Sequence, residues 1–320
     1  MPIRDMLQNE NISVSFEFFP PKTEEAWQRL YKTIENLVPL HPSHVSVTYG
    51  AGGTTREHTH ELVVRVQRET GIPVVAHLTC VCASAAEIRK TLEQYSSNGI
   101  RHLLILRGDV PEGVTEEEAW PADGFRQASD LVALVKKEYP HMGVGVAGFP
   151  EGHPSTPNRL REMEYLKAKI DAGADWIVTQ LFFDNRDFYD FCERCAFYGI
   201  EVPITPGIMP ITSLQNMHRI ADLAAGARIP APLMKSVWRA RTRENVKNVG
   251  VHWAAEQVRD LIDNGVAGIH LYTLNHSDAS IQICRSLGLR DFLDLPASVT
   301  AEPGDHIFLD SKQTSRNEKS

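Results

Sequence analysis

A chain of 320 residues with 42% hydrophobic side chains can build a sizeable core, as two average domains or as one barrel of alternating strands and helices. With 33 basic against 41 acidic residues, the formal net charge of -8 excludes a broad basic field for nucleic acid or an anionic membrane. The start, Met1 to Glu10, lacks an apolar signal core, no later run is long enough to span a bilayer, and five cysteines suit reduced thiols, so a soluble cytoplasmic protein is expected.

The first strand is expected in Ser13-Val14-Ser15-Phe16-Glu17-Phe18, with Pro20 and Pro21 ending it. Alternation sends Ser13, Ser15 and Glu17 to one face, read as inward, and Val14, Phe16 and Phe18 to the other. Among phenyl rings, Glu17 is expected to have a raised pKa, which suits a general acid. Thr23 can cap a helix with Trp27, Leu30, Ile34 and Leu37 on one face. The pattern then repeats: a strand at His44 to Tyr49, a turn at Gly50-Ala51-Gly52-Gly53, a helix through Leu62 and Val66, and a strand at Pro73 to Thr79. Ser84 and Glu87 have capping-box spacing before a helix that stops at Gly99. A fourth strand, Leu103 to Leu106, ends in Arg107-Gly108-Asp109, and the acidic run Glu116-Glu117-Glu118 reads as a solvated loop.

The second half alternates likewise. Strands fit Gly143 to Phe149, Trp176 to Phe182, Ile204 to Ile208 and Ile269 to Leu274. Helices fit the region of Leu131, Pro157 to Asp171, Asp187 to Tyr198, Leu214 to Ala224, Asn245 to Asn264 and Ala279 to Leu287, with the proline-containing piece Ile229 to Pro232 between two of them. Eight such repeats with strands too apolar to face water predict an α/β protein, a single-domain (β/α)8 TIM barrel over residues 1–295; an open doubly wound sheet is the alternative. From residue 296 to 320 the pattern stops, and a polar, mobile tail is expected unless Ile307-Phe308-Leu309 docks.

Two motifs fail on context. Gly143-Val144-Gly145-Val146-Ala147-Gly148 matches the dinucleotide-binding glycine pattern, but Phe149-Pro150-Glu151-Gly152-His153-Pro154 after it is a poor helix start. Those glycines are expected to thin a strand so that something flat can lie close to its backbone. Cys80, Cys82, Cys192 and Cys195 have the chemistry of a zinc site, yet the second pair belongs to a helix outside the barrel, so buried thiols and no metal are expected. His58 and His60 cannot share a helix face and read as solvated.

A barrel of this kind carries its site at the carboxyl ends of its strands, where the polar residues of this chain collect. They are Glu17, Thr48, Tyr49, His77, Arg107, Asp109, His153, Gln180, Tyr272 and Asn275. The set suits a polar heteroaromatic ligand and one proton transfer, with an organic cofactor supplying the harder chemistry.

The motifs Ser15 to Pro21, Val47 to Gly53, His77-Leu78-Thr79-Cys80, Leu106 to Asp109, Pro150 to Pro154, Thr179 to Asp184 and Tyr272-Thr273-Leu274-Asn275 occur in that order. Through them the chain resembles the methylenetetrahydrofolate reductase family, in its bacterial form with a catalytic domain alone. The resemblance implies FAD as cofactor, NADH or NADPH as electron donor, and ping-pong reduction of 5,10-methylenetetrahydrofolate to 5-methyltetrahydrofolate. It implies Glu17 as the acid, Asp109 as a catalytic residue touching pterin and flavin, and Gln180, Asn216, Tyr272 and His276 at the substrate. It assigns Thr48, Tyr49, Ala51, His77, Arg107, Gly108, Asp109, Ala128, Phe149, His153, Glu162, Tyr165 and Lys169 to flavin and nucleotide. Phe149 stands where a tyrosine is common, Tyr165 and Ala168 replace an asparagine and a basic residue, Asn216 replaces a glutamine and His276 an arginine. Lys169, with Lys167, is then left to neutralise the pyrophosphate. The rival readings are a flavin oxidoreductase acting on another substrate and a flavin- or folate-binding subunit without catalysis. Neither nucleic acid nor membrane is an expected partner, and self-association into a homo-oligomer is left open.

Overall fold

The computed structural model describes residues 1–8, 12–49, 56–223 and 227–289. Ala51, the rest of the glycine turn around it and the expected tail from residue 296 lie outside the described residues.

Nine parallel strands form a nearly closed barrel: β1 (Ser13–Phe18), β2 (His44–Val47), β3 (Val74–Thr79), β4 (His102–Leu106), β5 (Gly143–Gly148), β6 (Trp176–Thr179), β7 (Ile204–Thr205), β8 (Gly207–Ile208) and β9 (Gly268–Tyr272). β7 and β8 are two halves of the seventh stave. Pro206 between them has no N–H to give to a ladder, but its carbonyl accepts from His270 N at 3.0 Å. So β7 pairs with β6 and β8 pairs with β9, while β9 pairs with β1. The first strand therefore lies between elements from opposite ends of the chain.

Alternation decides what this barrel encloses. Val14, Phe16 and Phe18 are fully buried under the outer helices, and Ser13, Ser15 and Glu17 face the interior, where Ser15 is opposite His270 in register. The outer layer comprises α2 (Glu24–Leu37), α3 (Arg56–Thr70), α4 (Ala85–Ser97), α6 (Ala128–Glu138), α7 (Arg159–Asp171), α8 (Asn185–Phe197), α9 (Leu214–Leu223), α10 (Ala231–Arg239), α11 (Arg243–Asp263) and α12 (Asp278–Ser286). Thr23 caps α2, and Ser84 with Glu87 forms the expected capping box on α4.

Several local expectations need correction. α1 (Ile3–Met6) stoppers the amino-terminal end of the barrel, with Ile3 and Leu7 packed on Val75, Leu104, Trp176 and Val178. The acidic run is a one-turn helix, α5 (Glu116–Ala119), because Thr115 and Glu118 cap each other. The proline-containing piece opens α10, since Pro232 falls in the first turn, where a missing N–H costs nothing. His58 is exposed as expected, but His60 is half-buried and stacks on Tyr95 at 5.5 Å. The flat group beside the glycines of β5 is internal: a Cβ on Gly145 would lie 2.4 Å from the indole of Trp176. No helix among the described residues is long and apolar enough to cross a membrane.

Candidate functional site

Glu17 sits near the carboxyl end of β1 with its side chain 18% exposed. Its Oε2 is 3.4 Å from His77 Nε2 on β3 and 3.6 Å from His270 Nε2 on β9, and it accepts from Ser46 Oγ on β2 at 3.3 Å. Burial pushes the carboxyl pKa up, but the two imidazoles and the Ser46 hydroxyl outweigh it, so the net pKa is lowered. The expected upward shift is therefore wrong. The phenyl rings of Phe16 and Phe18 lie on the opposite face of the strand, and what faces Glu17 is a set of polar interior groups.

Hydrogen bonds fasten the mouth around this carboxylate. Thr273 Oγ1 donates to Glu17 O at 2.6 Å. The Asn275 amide accepts from Phe19 N at 3.0 Å and donates to Phe19 O at 2.8 Å, clipping the end of β1 to the end of β9. Tyr272 Oη donates to Thr179 O at 2.7 Å, and burial raises its pKa well above the usual phenol range. Gly207 permits that crossing, because a Cβ there would lie 2.3 Å from Thr179 O and 2.6 Å from the Tyr272 ring. Gln180, after β6, accepts from Leu181 N through its side-chain oxygen at 2.9 Å. Thr48 and Tyr49, half-buried, follow β2.

A second group of residues occupies the rim after β4 and β5. Arg107 lies over the Trp120 ring at 4.4 Å and donates to Arg126 O at 3.3 Å. Gly108 and exposed Asp109 follow it. Phe149 meets the His153 ring edge to face at 4.7 Å, and His153 feels Asp109, Lys169 and Arg107 while burial lowers its pKa. Lys169 of α7 donates to Ala147 O at 2.8 Å, and burial pulls its pKa down to about 8. Glu162, two α7 turns closer to the rim, is buried with its pKa raised by burial; its Oε2 lies 3.7 Å from Arg159 Nη1 and has no hydrogen bond among the described residues. Thr79 Oγ1 and His77 Nε2 are likewise buried without hydrogen-bond partners among the described residues. Ala128, the first residue of α6, is buried beside this group's Arg126 anchor.

Other expected site residues make local bonds or are exposed. Asn216 accepts from Thr212 N at 2.9 Å, spending its side chain on the start of α9. Tyr165 accepts from Arg161 one turn away and is exposed, Lys167 pairs with Asp171, and His276 is exposed. Cys80 follows β3 and Cys192 and Cys195 lie on α8; burial pushes Cys80 and Cys195 up to about 12 and Cys192 up to about 11, which makes them poor nucleophiles. Among the described residues no group of three or more His, Cys, Asp or Glu is placed to hold a metal ion.

Sequence reasoning missed Ser46 and His270. Both belong to inward positions of their strands, a signal available from alternation once the register of β1 against β9 is known.

A family model for methylenetetrahydrofolate reductase matches residues 2–288. The chain is 40% identical over 286 residues to the 5,10-methylenetetrahydrofolate reductase of Escherichia coli (strain K12), covering 87% of this chain and 92% of that one. It is 38% identical over 317 residues to methylenetetrahydrofolate reductase (NADH) 1 of Arabidopsis thaliana, covering 96% of this chain and 53% of the longer plant protein. Among solved structures, a Clostridium thermocellum protein described as binding two copies of 5-methyl-5,6,7,8-tetrahydrofolic acid superposes with a TM-score of 0.64 at 18% identity, over 90% of this chain and 96% of that one, a likeness of fold.

Proposed function

The chain belongs to the methylenetetrahydrofolate reductase family, and on that premise we propose that it reduces 5,10-methylenetetrahydrofolate to 5-methyltetrahydrofolate with FAD and NADH or NADPH, in two alternating half-reactions at one mouth. The observation that carries this reading is the junction of two unlike groups at the carboxyl ends of the strands. One is a carboxylate backed by buried imidazoles, Glu17 with His77 and His270. The other is the rim where Arg107 and Lys169 bring positive charge to either side of His153.

The rim residues fit a flavin dinucleotide. Lys169 is an ammonium deprived of water whose one hydrogen-bond partner among the described residues is a carbonyl, a suitable counter-charge for a pyrophosphate. The buried Thr79 hydroxyl and Glu162 Oε2, which have no hydrogen bond among the described residues, offer polar atoms that a ligand with donors and acceptors would satisfy. Thr48, Tyr49, His77, Arg107, Gly108, Ala128, Phe149, His153 and Glu162 would complete that site. When bound, flavin supplies the means to accept hydride from the nicotinamide and to pass it to the one-carbon unit.

The remaining chemistry belongs to the chain. Glu17 delivers a proton to a folate nitrogen, opening the ring to the acceptor of hydride. A flat ligand over the mouth removes the water that reaches Glu17, and added desolvation moves its pKa upward, toward holding the proton it must give. Asp109 accepts hydrogen bonds from the N–H edge of the pterin, and Gln180 offers both a donor and an acceptor to whichever substrate is present. Tyr272, pinned to Thr179, makes one wall of the mouth. Asn216, in the first turn of α9, and His276, in the segment after β9, are proposed to contact the substrate.

The test is anaerobic spectroscopy of the purified protein. A yellow protein bleached by NADH or NADPH and recoloured by methylenetetrahydrofolate supports the proposal. A protein that neither carries nor takes up FAD, or that is bleached but not recoloured by the folate, defeats it.

A further inference from the structure

Three arginines from three different elements grip three consecutive residues of the loop after β5. Arg194 of α8 donates through Nη2 to Pro150 O at 2.9 Å. Arg228, in the segment before α10, donates to Glu151 Oε1 through its backbone N–H at 2.9 Å and through Nε, also at 2.9 Å. Its Nη2 donates to Asp187 Oδ1 in the first turn of α8. Arg159, the first residue of α7, lays its guanidinium beside Gly152, where a Cβ would lie 2.6 Å from Cζ. The next residue is His153. Its ring meets Phe149 edge to face, and Ser155 N donates to its Nδ1 at 3.2 Å.

The grip on Glu151 has the largest consequence. Its side chain is 5% exposed; burial raises its pKa, Arg228 offsets part of that, and Asp187 adds to it. Without the guanidinium, a buried carboxylate would face a second carboxylate with no counter-charge, which is costly until the loop turns it out to water. Gly152, at φ +93°, is the hinge on which such a turn would carry His153 along. Arg228 is itself 69% exposed, and among the described residues its side-chain hydrogen bonds go to Glu151 and Asp187. We propose that Arg228 is a positioning residue of the flavin site, which neutralises Glu151 and so holds residues 150–152 in the form that presents His153 to the cofactor. This inference rests on the function proposed above, in which His153 belongs to the flavin.

The experiment dilutes the flavin-loaded chain and its variants, and the rise of free-flavin fluorescence gives the FAD dissociation constant. Arg228→Gln should weaken FAD binding by about tenfold or more, because the loop loses hydrogen bonds to a charged, buried group. Adding Glu151→Gln removes the stranded charge and keeps the shape, so the double variant should bind FAD more tightly than Arg228→Gln, by about threefold or more. Arg186→Gln removes an arginine that shares a surface cleft with Arg228 and pairs with Asp184, and should leave FAD binding unchanged. An unchanged dissociation constant in Arg228→Gln overturns the inference. So does a double variant no better than the single one, which would mark the loss as a general loosening of the fold. If Arg228→Gln fails to fold, Arg228→Lys keeps a cation but not the fork that spans two carboxylates, and should weaken FAD binding by about threefold or more; no change again overturns the inference. A wild-type chain that neither carries nor takes up FAD would instead defeat the function proposed above. A wild type and an Arg228→Gln variant that bind FAD equally well would defeat this inference alone.

Discussion

Gly145→Ala tests the packing that fills the barrel behind the mouth. A Cβ at that position would lie 2.4, 2.5 and 2.6 Å from three atoms of the Trp176 indole, which is 3% exposed and cannot swing into solvent. Overpacking of that kind costs roughly 1–3 kcal/mol, while replacing a strand glycine by alanine returns roughly 0.5–1 kcal/mol of backbone entropy. The net loss should be roughly 0.5–2 kcal/mol. Trp176→Leu removes the ring atoms in question, so in that background Gly145→Ala should be neutral or stabilising by up to about 1 kcal/mol. Urea unfolding followed by far-ultraviolet circular dichroism gives the four midpoints of the cycle, and the two changes should couple by about 1 kcal/mol or more. Equal cost of Gly145→Ala in both backgrounds would show that the glycine is there for some reason other than the indole.

Three further outcomes follow from the same structure. Burial lowers the pKa of His102 to about 4 from an ordinary 6.5, so between these values the unfolded chain binds the extra proton and stability falls as pH falls. Thermal melts should show that decline, worth on the order of 3 kcal/mol from this residue by pH 4, and His102→Gln should flatten it; an unchanged slope would contradict the shift. Asn275→Ala removes both bonds of the clip between β1 and β9 at a residue with φ +60°, and should cost about 1–3 kcal/mol in melts and urea titrations, whereas a loss below about 0.5 kcal/mol would show the clip to be idle. Lys169→Met should fold but lose visible flavin absorbance on purification, with added FAD binding at least about tenfold more weakly; full retention would remove Lys169 from the proposed pyrophosphate site.

Much of the fold could be read in the sequence because it rests on alternation. Ser13, Ser15 and Glu17 against Val14, Phe16 and Phe18 states which face of β1 is inside, and the same rhythm marks each later stave. Even the seventh could be read from Ile204 to Ile208, although Pro206 splits its ladder in two. Elements without a period were illegible. α1 is a single turn whose only signal is Ile3 and Leu7, and α10 begins at prolines that look like breakers from either side. The site was legible as a set of rim residues and not as an environment. Glu17 stands beside Phe16 and Phe18 in the chain, but in space it faces Ser46, His77 and His270, the last of these 253 positions away, joined to it only when β9 closes on β1. Its pKa direction depends on those neighbours, so the sequence pointed the wrong way. The burial of Asn216 in the start of α9 was equally hidden, since the helix end it caps is set by tertiary packing.

The central claim is that Glu17 serves the folate half-reaction as its acid and takes no part in the flavin half-reaction. Stopped-flow absorbance of Glu17→Gln measures both in one preparation. The account predicts that flavin reduction by the nicotinamide nucleotide survives nearly intact, while reoxidation by methylenetetrahydrofolate slows by roughly 10² to 10⁴, the usual contribution of a positioned general acid. Equal losses in the two half-reactions, or no loss in either, would contradict it.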